Sequence, residues 1–242
     1  MSHWLFIHIM KTAGTSFRTM LENHLGKGVY PTKEEVKQLP DRFYLRPPQF
    51  VEWLTDGRLD LTGRRVVCGH YSAAFVQALP GSWRTATVLR EPVARTLSMI
   101  AHHHRDRRRM FDFRGRLPVA EYLDNPSFVA SKILNYQTKV FAAGPMDNVN
   151  QPYPIDAAAF ERAKERLDAV DFVGLTETFG ESVRVFEGMS GMTLGADILH
   201  AGKNRRYSAT EEDVARIREL VGYDIELYEI ARRKMQTQAA AA

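Results

Sequence analysis

The sequence predicts an α/β fold in which one central parallel sheet is flanked by helices. Short apolar runs of strand length recur along the chain, and helical patterns separate them. No stretch resembles a linker that would divide the 242 residues into two domains. Because strands that alternate with helices pair in parallel, we expect a single domain over residues 1–242.

Four segments are predicted strands, since each is short, apolar and bounded by polar residues or glycine. They are Trp4 to Ile9, Arg65 to Cys68, Thr85 to Leu89 and Asp171 to Leu175. Helices are predicted where apolar residues recur at intervals of three and four positions. They are Phe17 to Leu25, Lys33 to Leu39, Pro48 to Leu54, Pro92 to Arg107, Ser127 to Gln137, Asp156 to Val170, Glu181 to Met189, Thr210 to Val221 and Asp224 to about Lys234. Parallel sheets bind ligands beyond the carboxyl ends of their strands, so the residues after each strand are the candidate site.

Composition narrows the function classes. Lysine and arginine number 33 against 29 acidic residues, a formal net charge of +4, which favours anionic ligands without requiring nucleic acid. Cys68 is the one cysteine, so no intrachain disulfide can form and a reducing compartment is expected. The amino terminus lacks a basic leader and no apolar run reaches the length of a membrane span. We therefore expect a cytoplasmic protein without a membrane span.

The first predicted strand is followed by the segment Lys11 to Ser16, with the sequence KTAGTS, and then by a helix. The first turn of a helix presents backbone N–H groups and the positive end of the helix dipole, which suit an anion. Thr12, Thr15 and Ser16 add hydroxyl donors, and Lys11 adds a charge. A capped helix start with a surface lysine is the alternative. The spacing differs from G-x-x-x-x-G-K-[ST], so a phosphate site of another kind is predicted.

The third predicted strand is followed by REPVARTLS. Arg90 lies at the end of the strand, and Ser98 lies about two turns into the next helix. The planar guanidinium of arginine can bind a phosphate through two hydrogen bonds, and a serine hydroxyl can complete the contact. An ion pair between Arg90 and Glu91 is the alternative. The sequence thus offers a second candidate anion site.

Together, HIMKTAGTS and REPVARTLS resemble the paired cofactor signatures of sulfotransferases that use 3′-phosphoadenosine 5′-phosphosulfate (PAPS), above all the carbohydrate branch that includes the uronyl 2-O-sulfotransferases. The resemblance implies a P-loop-like sulfotransferase fold. It implies that residues near 8–16 hold the 5′-phosphosulfate and that residues near 88–98 hold the 3′-phosphate through Arg90 and Ser98. The loop residues that it assigns to the cofactor are Lys11, Thr12, Ala13, Gly14, Thr15 and Ser16. It also implies a catalytic role for Lys11 against the bridging oxygen.

Further segments extend this resemblance. CGHYSAAF is similar to the part of the family in which a histidine after the second strand is the general base, which implies His70 in that role. A structural histidine is the alternative. DFVGLTETF implies a contact of Thr176 with the adenosine. GKNRRYS and YDIELYEIA resemble the family's carboxyl-terminal pattern, in which Lys203, Arg205 and Ser208 would cover the nucleotide.

Two parts of the chain depart from the family pattern. Many relatives have proline where this chain has Met10, a change expected to alter the stiffness of the loop more than its chemistry. Residues from about Phe111 to Ile155 show no usable match, and we expect acceptor recognition to depend on this region.

The implied reaction is in-line transfer of a sulfuryl group from PAPS to an acceptor hydroxyl, with His70 as the base and a carbohydrate as the favoured acceptor. The acceptor class otherwise stays open among sugars, lipids, small metabolites and tyrosine. No metal requirement is expected, since no cluster of His, Cys or Asp has the spacing of a metal site. A nucleotide-dependent phosphotransferase with an atypical phosphate loop is an alternative function.

The basic run from Arg105 to Arg109 permits a third function, a non-catalytic protein that binds polyanions. The longer run from His102 to Arg109 could form a metal tract, but adjacent residues of a helix point in different directions, which disfavours chelation. A solvated helix end is the simplest interpretation, and attraction of an anionic saccharide is the functional one. Nucleic acid is not an expected partner, and the sequence leaves the oligomeric state open.

Overall fold

A five-stranded, fully parallel sheet forms the centre of the fold in the computed structural model. The structure describes residues 2–40, 44–105, 111, 113, 117–195 and 208–241, which form one α/β domain. The strands are β1 (His3–Ile7), β2 (Val29–Tyr30), β3 (Val66–Gly69), β4 (Trp83–Leu89) and β5 (Phe172–Leu175). Their order across the sheet is β2-β3-β1-β4-β5. The four predicted strands are confirmed to within two residues at each end. Strand β2 was not predicted, because two residues are too few to show a periodicity.

The central strand β1 is buried on both faces, as expected for a parallel strand that helices cover on each side. Trp4, Leu5, Phe6 and Ile7 all have almost no exposed surface. Phe6 pairs with Cys68 of β3 on one side and with Ala86 of β4 on the other. This register brings the carboxyl ends of β3, β1 and β4 side by side.

Helices connect and cover these strands. They are α1 (Gly14–Leu25), α2 (Lys33–Gln38), α3 (Pro47–Thr55), α4 (Pro92–Arg105), α5 (Val119–Leu123), α6 (Pro126–Phe128), α7 (Tyr136–Ala142), α8 (Ala157–Ala169), α9 (Phe179–Ser190), α10 (Glu211–Leu220) and α11 (Gly222–Ala241). Helix α5 was not predicted, and α11 is longer than predicted. Thr210 caps α10 as predicted, since its side chain accepts a hydrogen bond from the Asp213 N–H. None of the helices in the described ranges is both long and apolar enough to cross a membrane.

The single helix predicted from Ser127 to Gln137 is wrong. The structure has α6, then a π-helical stretch over Val129–Ile133, and then a break before α7. The break falls at Asn135, whose φ of 41° lies in the left-handed region that asparagine tolerates better than most residues. The Asn135 side chain accepts a hydrogen bond from the Asp224 N–H at 3.2 Å. Apolar periodicity cannot show such a break, because its cause lies in a distant helix.

A second hydrophobic cluster lies beside the main core and holds α4 in place. Ile100 of α4 belongs to this cluster together with Tyr122, Phe128 and Ile217. These residues come from α5, α6 and α10. The cluster therefore fixes the helix that starts directly after the end of β4.

Candidate functional site

The candidate site lies at the carboxyl edge of the sheet, where the order of the strands reverses. The chain leaves β1 toward β2 on one side and leaves β4 toward β5 on the other, although β1 and β4 are neighbours. Crevices at such reversal points are the usual ligand sites of parallel sheets. Lys11 follows β1, Arg90 follows β4, and His70 follows β3. The structure thus places three of the predicted site residues at one edge.

The loop after β1 has an unusual backbone. Lys11 and Ala13 have φ values of 72° and 64°, in the left-handed region that costs a residue with a Cβ atom about 1–2 kcal/mol. The Thr12 side chain is buried, and its hydroxyl donates to the Ile9 carbonyl at 3.0 Å. Thr12 therefore stabilises the turn from within. Backbone outliers of this kind cluster at ligand sites, where the surrounding structure holds them in place.

Gly14 begins α1 and lies against the imidazole of His8. A Cβ atom at position 14 would lie 2.1 Å from Cδ2 of His8, closer than any real contact. Only glycine fits at this position while the His8 ring stays where it is. Packing against His8 therefore requires glycine at position 14, in addition to the role predicted for Gly14 in an anion-binding loop.

Two arginines contact the backbone of the same loop. Arg90 Nη1 donates to the Lys11 carbonyl and Arg95 Nε to the Met10 carbonyl, both at 3.3 Å. The Gln137 side chain accepts from the Arg90 N–H at 3.0 Å and donates to the Arg90 carbonyl at 2.8 Å. The backbone of Arg90 is thus clamped from α7 while its side chain reaches the loop after β1. Sequence reasoning missed Arg95 and Gln137.

The ring of His70 is oriented by the backbone of β1. Its Nδ1 lies 2.5 Å from the carbonyl oxygen of His8. A carbonyl can only accept, so Nδ1 carries the proton and Nε2 carries the lone pair. Burial is the largest influence on His70 and lowers its pKa to about 4, partly opposed by this hydrogen bond. The imidazole is therefore neutral near pH 7, with Nε2 able to accept a proton.

Around His70 lies a set of polar side chains that sequence reasoning did not name. The His8 and His70 rings are 4.5 Å apart between centroids. The Tyr44 hydroxyl lies 3.1 Å from Nδ1 of His8 and accepts from Arg18 Nη1 at 3.1 Å. Burial, followed by the electrostatic interaction with the neighbouring His70, holds the pKa of His8 well below its usual range. His8 fell inside the predicted strand Trp4 to Ile9, so only the structure shows that it follows the end of β1.

The other residues that were predicted to bind the cofactor differ in their location and in their exposure to solvent. Thr176 follows β5, and its hydroxyl donates to the Leu89 carbonyl at 3.0 Å, which joins the ends of β4 and β5. Ser98 is partly buried in α4, while Ser208 is exposed before α10. In the first turn of α1, Thr15 is exposed and Ser16 is partly buried. Lys203 and Arg205, and the basic run from position 106 to 109, lie outside the described residues.

No protein-family model matches this chain, and no curated protein matches it. The function must therefore be inferred from the residues at the carboxyl edge of the sheet. Arg90 and Arg95 contact a loop with an unusual backbone, and His70 is neutral with its lone pair on Nε2. Such a set can hold an anionic group and accept a proton from a hydroxyl. Among the described residues, no group of three or more His, Cys, Asp or Glu side chains could hold a metal ion.

Proposed function

We propose that this protein is a PAPS-dependent sulfotransferase with a P-loop-like fold, acting on an acceptor hydroxyl, with a carbohydrate as the favoured acceptor. The observation that carries the proposal is the hydrogen bond from His70 Nδ1 to the His8 carbonyl, three residues before Lys11. It supports the proposal because it orients a neutral imidazole toward the loop whose sequence resembles a phosphosulfate site. The reversal of strand order next to this loop supports the same fold.

The chemistry needs one proton transfer and one exchange of bonds at sulfur. His70 Nε2 accepts the proton of the acceptor hydroxyl as the hydroxyl oxygen forms its bond to sulfur. The bond between sulfur and the 5′-phosphate oxygen breaks, and its electron pair stays on that oxygen, which leaves 3′-phosphoadenosine 5′-phosphate (PAP). Lys11 stabilises the negative charge that develops there. His70 then releases its proton to solvent.

Binding of the nucleotide would use both anion sites. The amide groups of the loop from Lys11 to Ser16 and the hydroxyls of Thr15 and Ser16 hold the 5′ end, and Arg90 with Ser98 holds the 3′-phosphate. The Thr12 hydroxyl is not part of this set, because it donates to the Ile9 carbonyl within the loop. The hydrogen bond from Arg90 to the Lys11 carbonyl supports the use of both sites by one nucleotide, since it shows that the two sites are adjacent. Thr176, Lys203, Arg205 and Ser208 are the proposed contacts around the nucleoside.

Variants of three residues test this function. We expect Lys11→Ala and Arg90→Ala each to weaken PAP binding about tenfold or more and to abolish transfer, because each removes a charge from the anion site. His70→Ala should keep PAP affinity within about threefold and lose about 10²-fold or more in transfer, because it removes only the base. Calorimetry measures PAP binding, and a screen of hydroxylated acceptors with labelled PAPS measures transfer.

Three results would contradict the proposal. Undiminished transfer in both the Lys11 and the Arg90 variant would exclude the assigned cofactor site. Binding of ATP with magnesium dependence and indifference to a 3′-phosphate would indicate a phosphotransferase. Steeply salt-dependent binding of polyanions that Lys11→Ala leaves unchanged would indicate a non-catalytic binding protein.

A further inference from the structure

Lys132 is a buried cation that the mechanism above does not use. Its exposed fraction is only 4%. Its Nζ contacts the carbonyl oxygen and Oδ1 of Asn150, both at 3.4 Å, which is long for a hydrogen bond. It forms no ion pair with a carboxylate in the part of the chain that the structure describes. A buried ammonium normally needs close partners, so Lys132 has donor capacity left for an anion.

The charge of Lys132 acts on His70. After burial and the opposing backbone hydrogen bond, Lys132 is the next influence on His70, and it lowers the pKa of the ring. Burial lowers the pKa of Lys132 itself to about 8, so most molecules carry the charge at pH 7. The Lys132 ammonium and the His70 ring are therefore electrostatically coupled.

The backbone that carries Lys132 is fixed to the loop after β1. Arg95 is fully buried, and its Nη2 donates to the Lys132 carbonyl at 2.6 Å while its Nε reaches the Met10 carbonyl. One guanidinium thus joins Lys132 to the residue before Lys11. Lys132 also lies in the π-helical stretch Val129–Ile133, and π-helical turns are frequent at functional sites.

Lys139 shows what a structural buried lysine looks like in the same region. Its exposed fraction is 1%, and its Nζ donates to the carbonyls of Ser131 and Gln151 at 3.0 and 3.1 Å. It also lies 4.8 Å from the centroid of the Tyr136 ring. Lys139 is therefore satisfied within the protein, whereas Lys132 has only two long contacts.

We propose that Lys132 is a further catalytic residue, which binds an oxygen of the sulfuryl group while that group is transferred. This inference rests on the proposed function. In the proposed mechanism His70 faces the attacking oxygen and Lys11 the leaving oxygen. The Arg95 guanidinium holds the Lys132 carbonyl next to the Met10 carbonyl, so the Lys132 side chain starts beside this loop and can serve the sulfuryl oxygens between them. A charge already in place there stabilises the transition state without reorganisation of solvent.

The test compares PAPS with PAP, which differ by the sulfuryl group. Lys132→Met keeps most of the unbranched side chain and removes its charged end. We expect this variant to bind PAPS about tenfold more weakly, to bind PAP within about threefold of the unmodified protein, and to lose about 10²-fold in kcat. The KM for the acceptor should stay within about threefold. Lys132→Arg should restore at least a tenth of kcat, and Lys132→Gln repeats the test if the Met variant does not fold.

Lys139→Met is the matched control. It should lower the melting temperature and leave the ratio of PAPS affinity to PAP affinity unchanged. Equal losses of PAPS and PAP affinity in the Lys132 variants, an unchanged kcat, or a loss confined to the KM of acidic acceptors would overturn the inference. An unmodified protein that binds neither nucleotide would instead overturn the proposed function.

Discussion

Gly14 packs directly against the His8 ring in the candidate site. Because an added Cβ would lie 2.1 Å from the His8 ring, we expect Gly14→Ala to lower the free energy of unfolding by about 1–3 kcal/mol. The displaced His8 would also move the carbonyl that orients His70, so PAP binding and transfer should both fall. Denaturant unfolding and calorimetry measure the two effects.

Gly180 provides the control for this substitution. It lies in α9, and a Cβ atom there would have nothing within 4 Å. Gly180→Ala should therefore leave stability unchanged or raise it by up to about 1 kcal/mol through helix propensity. Equal stabilities of the two alanine variants would show that the His8 ring moves aside without cost.

His70 links the stability of the protein to pH. Burial lowers the folded-state pKa to about 4 from an ordinary 6.5, so the unfolded chain takes up the proton at a higher pH than the folded one. Stability is therefore lost as the pH falls from 6.5 toward 4. We expect the unmodified protein to lose about 2 kcal/mol more than His70→Gln between pH 7 and pH 5. Urea unfolding at the two pH values measures this difference, and parallel losses would contradict the assigned burial.

Among the elements, α7 positions one side of the candidate site. Its Gln137 clamps the backbone of Arg90, and its first turn is itself held by α11. The Asp224 carboxylate is fully buried and accepts from the Gln137 N–H at 3.1 Å and the Thr138 N–H at 2.7 Å. A carboxylate from a distant helix thus caps α7 and orients the residue that holds Arg90.

Removal of this cap should affect stability and nucleotide binding together. We expect Asp224→Ala to lower the free energy of unfolding by about 2–4 kcal/mol, because two buried N–H groups lose their acceptor. PAP affinity should fall as Gln137 shifts, and Asp224→Asn should lie between because it keeps one oxygen acceptor. Thermal unfolding and calorimetry measure the two quantities.

Asp156→Ala is the control for the cap of α7. The Asp156 side chain accepts from the Ala159 N–H at 2.7 Å and so caps α8, away from the loop after β1. Its loss should cost about 1 kcal/mol and leave PAP affinity unchanged. If Asp224→Ala lowers stability without changing PAP affinity, α7 does not position Arg90.

The helices and strands that were predicted correctly share one property: the sequence pattern that indicates each of them lies within its own consecutive residues. The four longer strands were predicted because each is a short run rich in apolar or β-branched residues with polar residues or glycine at its ends. Strand β2 and helix α5 were missed because they are short, and the region 126–142 was misjudged because Asp224 and Asn135 impose its break from outside the pattern. Local periodicity contains no information about such a partner.

The fold brings together the segments after β1, β3 and β4, which are far apart in the chain. A ligand that contacts them at the sheet edge should therefore stabilise the whole folded protein. At about 100 times its Kd, PAP should raise the free energy of unfolding by about 2.7 kcal/mol. AMP at the same concentration should stabilise less, because it lacks the 3′-phosphate that Arg90 is proposed to bind. Thermal unfolding with each nucleotide measures the difference.

Arg90→Ala is the variant that completes this comparison. It should remove the difference between PAP and AMP, while Gly180→Ala should leave that difference as it is in the unmodified protein. Equal stabilisation of the unmodified protein by both nucleotides would show that no 3′-phosphate site exists at the end of β4.

The parallel α/β sheet and the positions after its strands, where Lys11, His70 and Arg90 lie, follow from patterns within a few consecutive residues. The way in which those residues are held depends on the packing of the folded chain. The contacts of His8 with His70, of Arg90 with Gln137 and of Arg95 with Lys132 each join segments tens of residues apart. The tautomer of His70 and the availability of Lys132 follow from those contacts, because a hydrogen bond depends on distance in space and not along the chain.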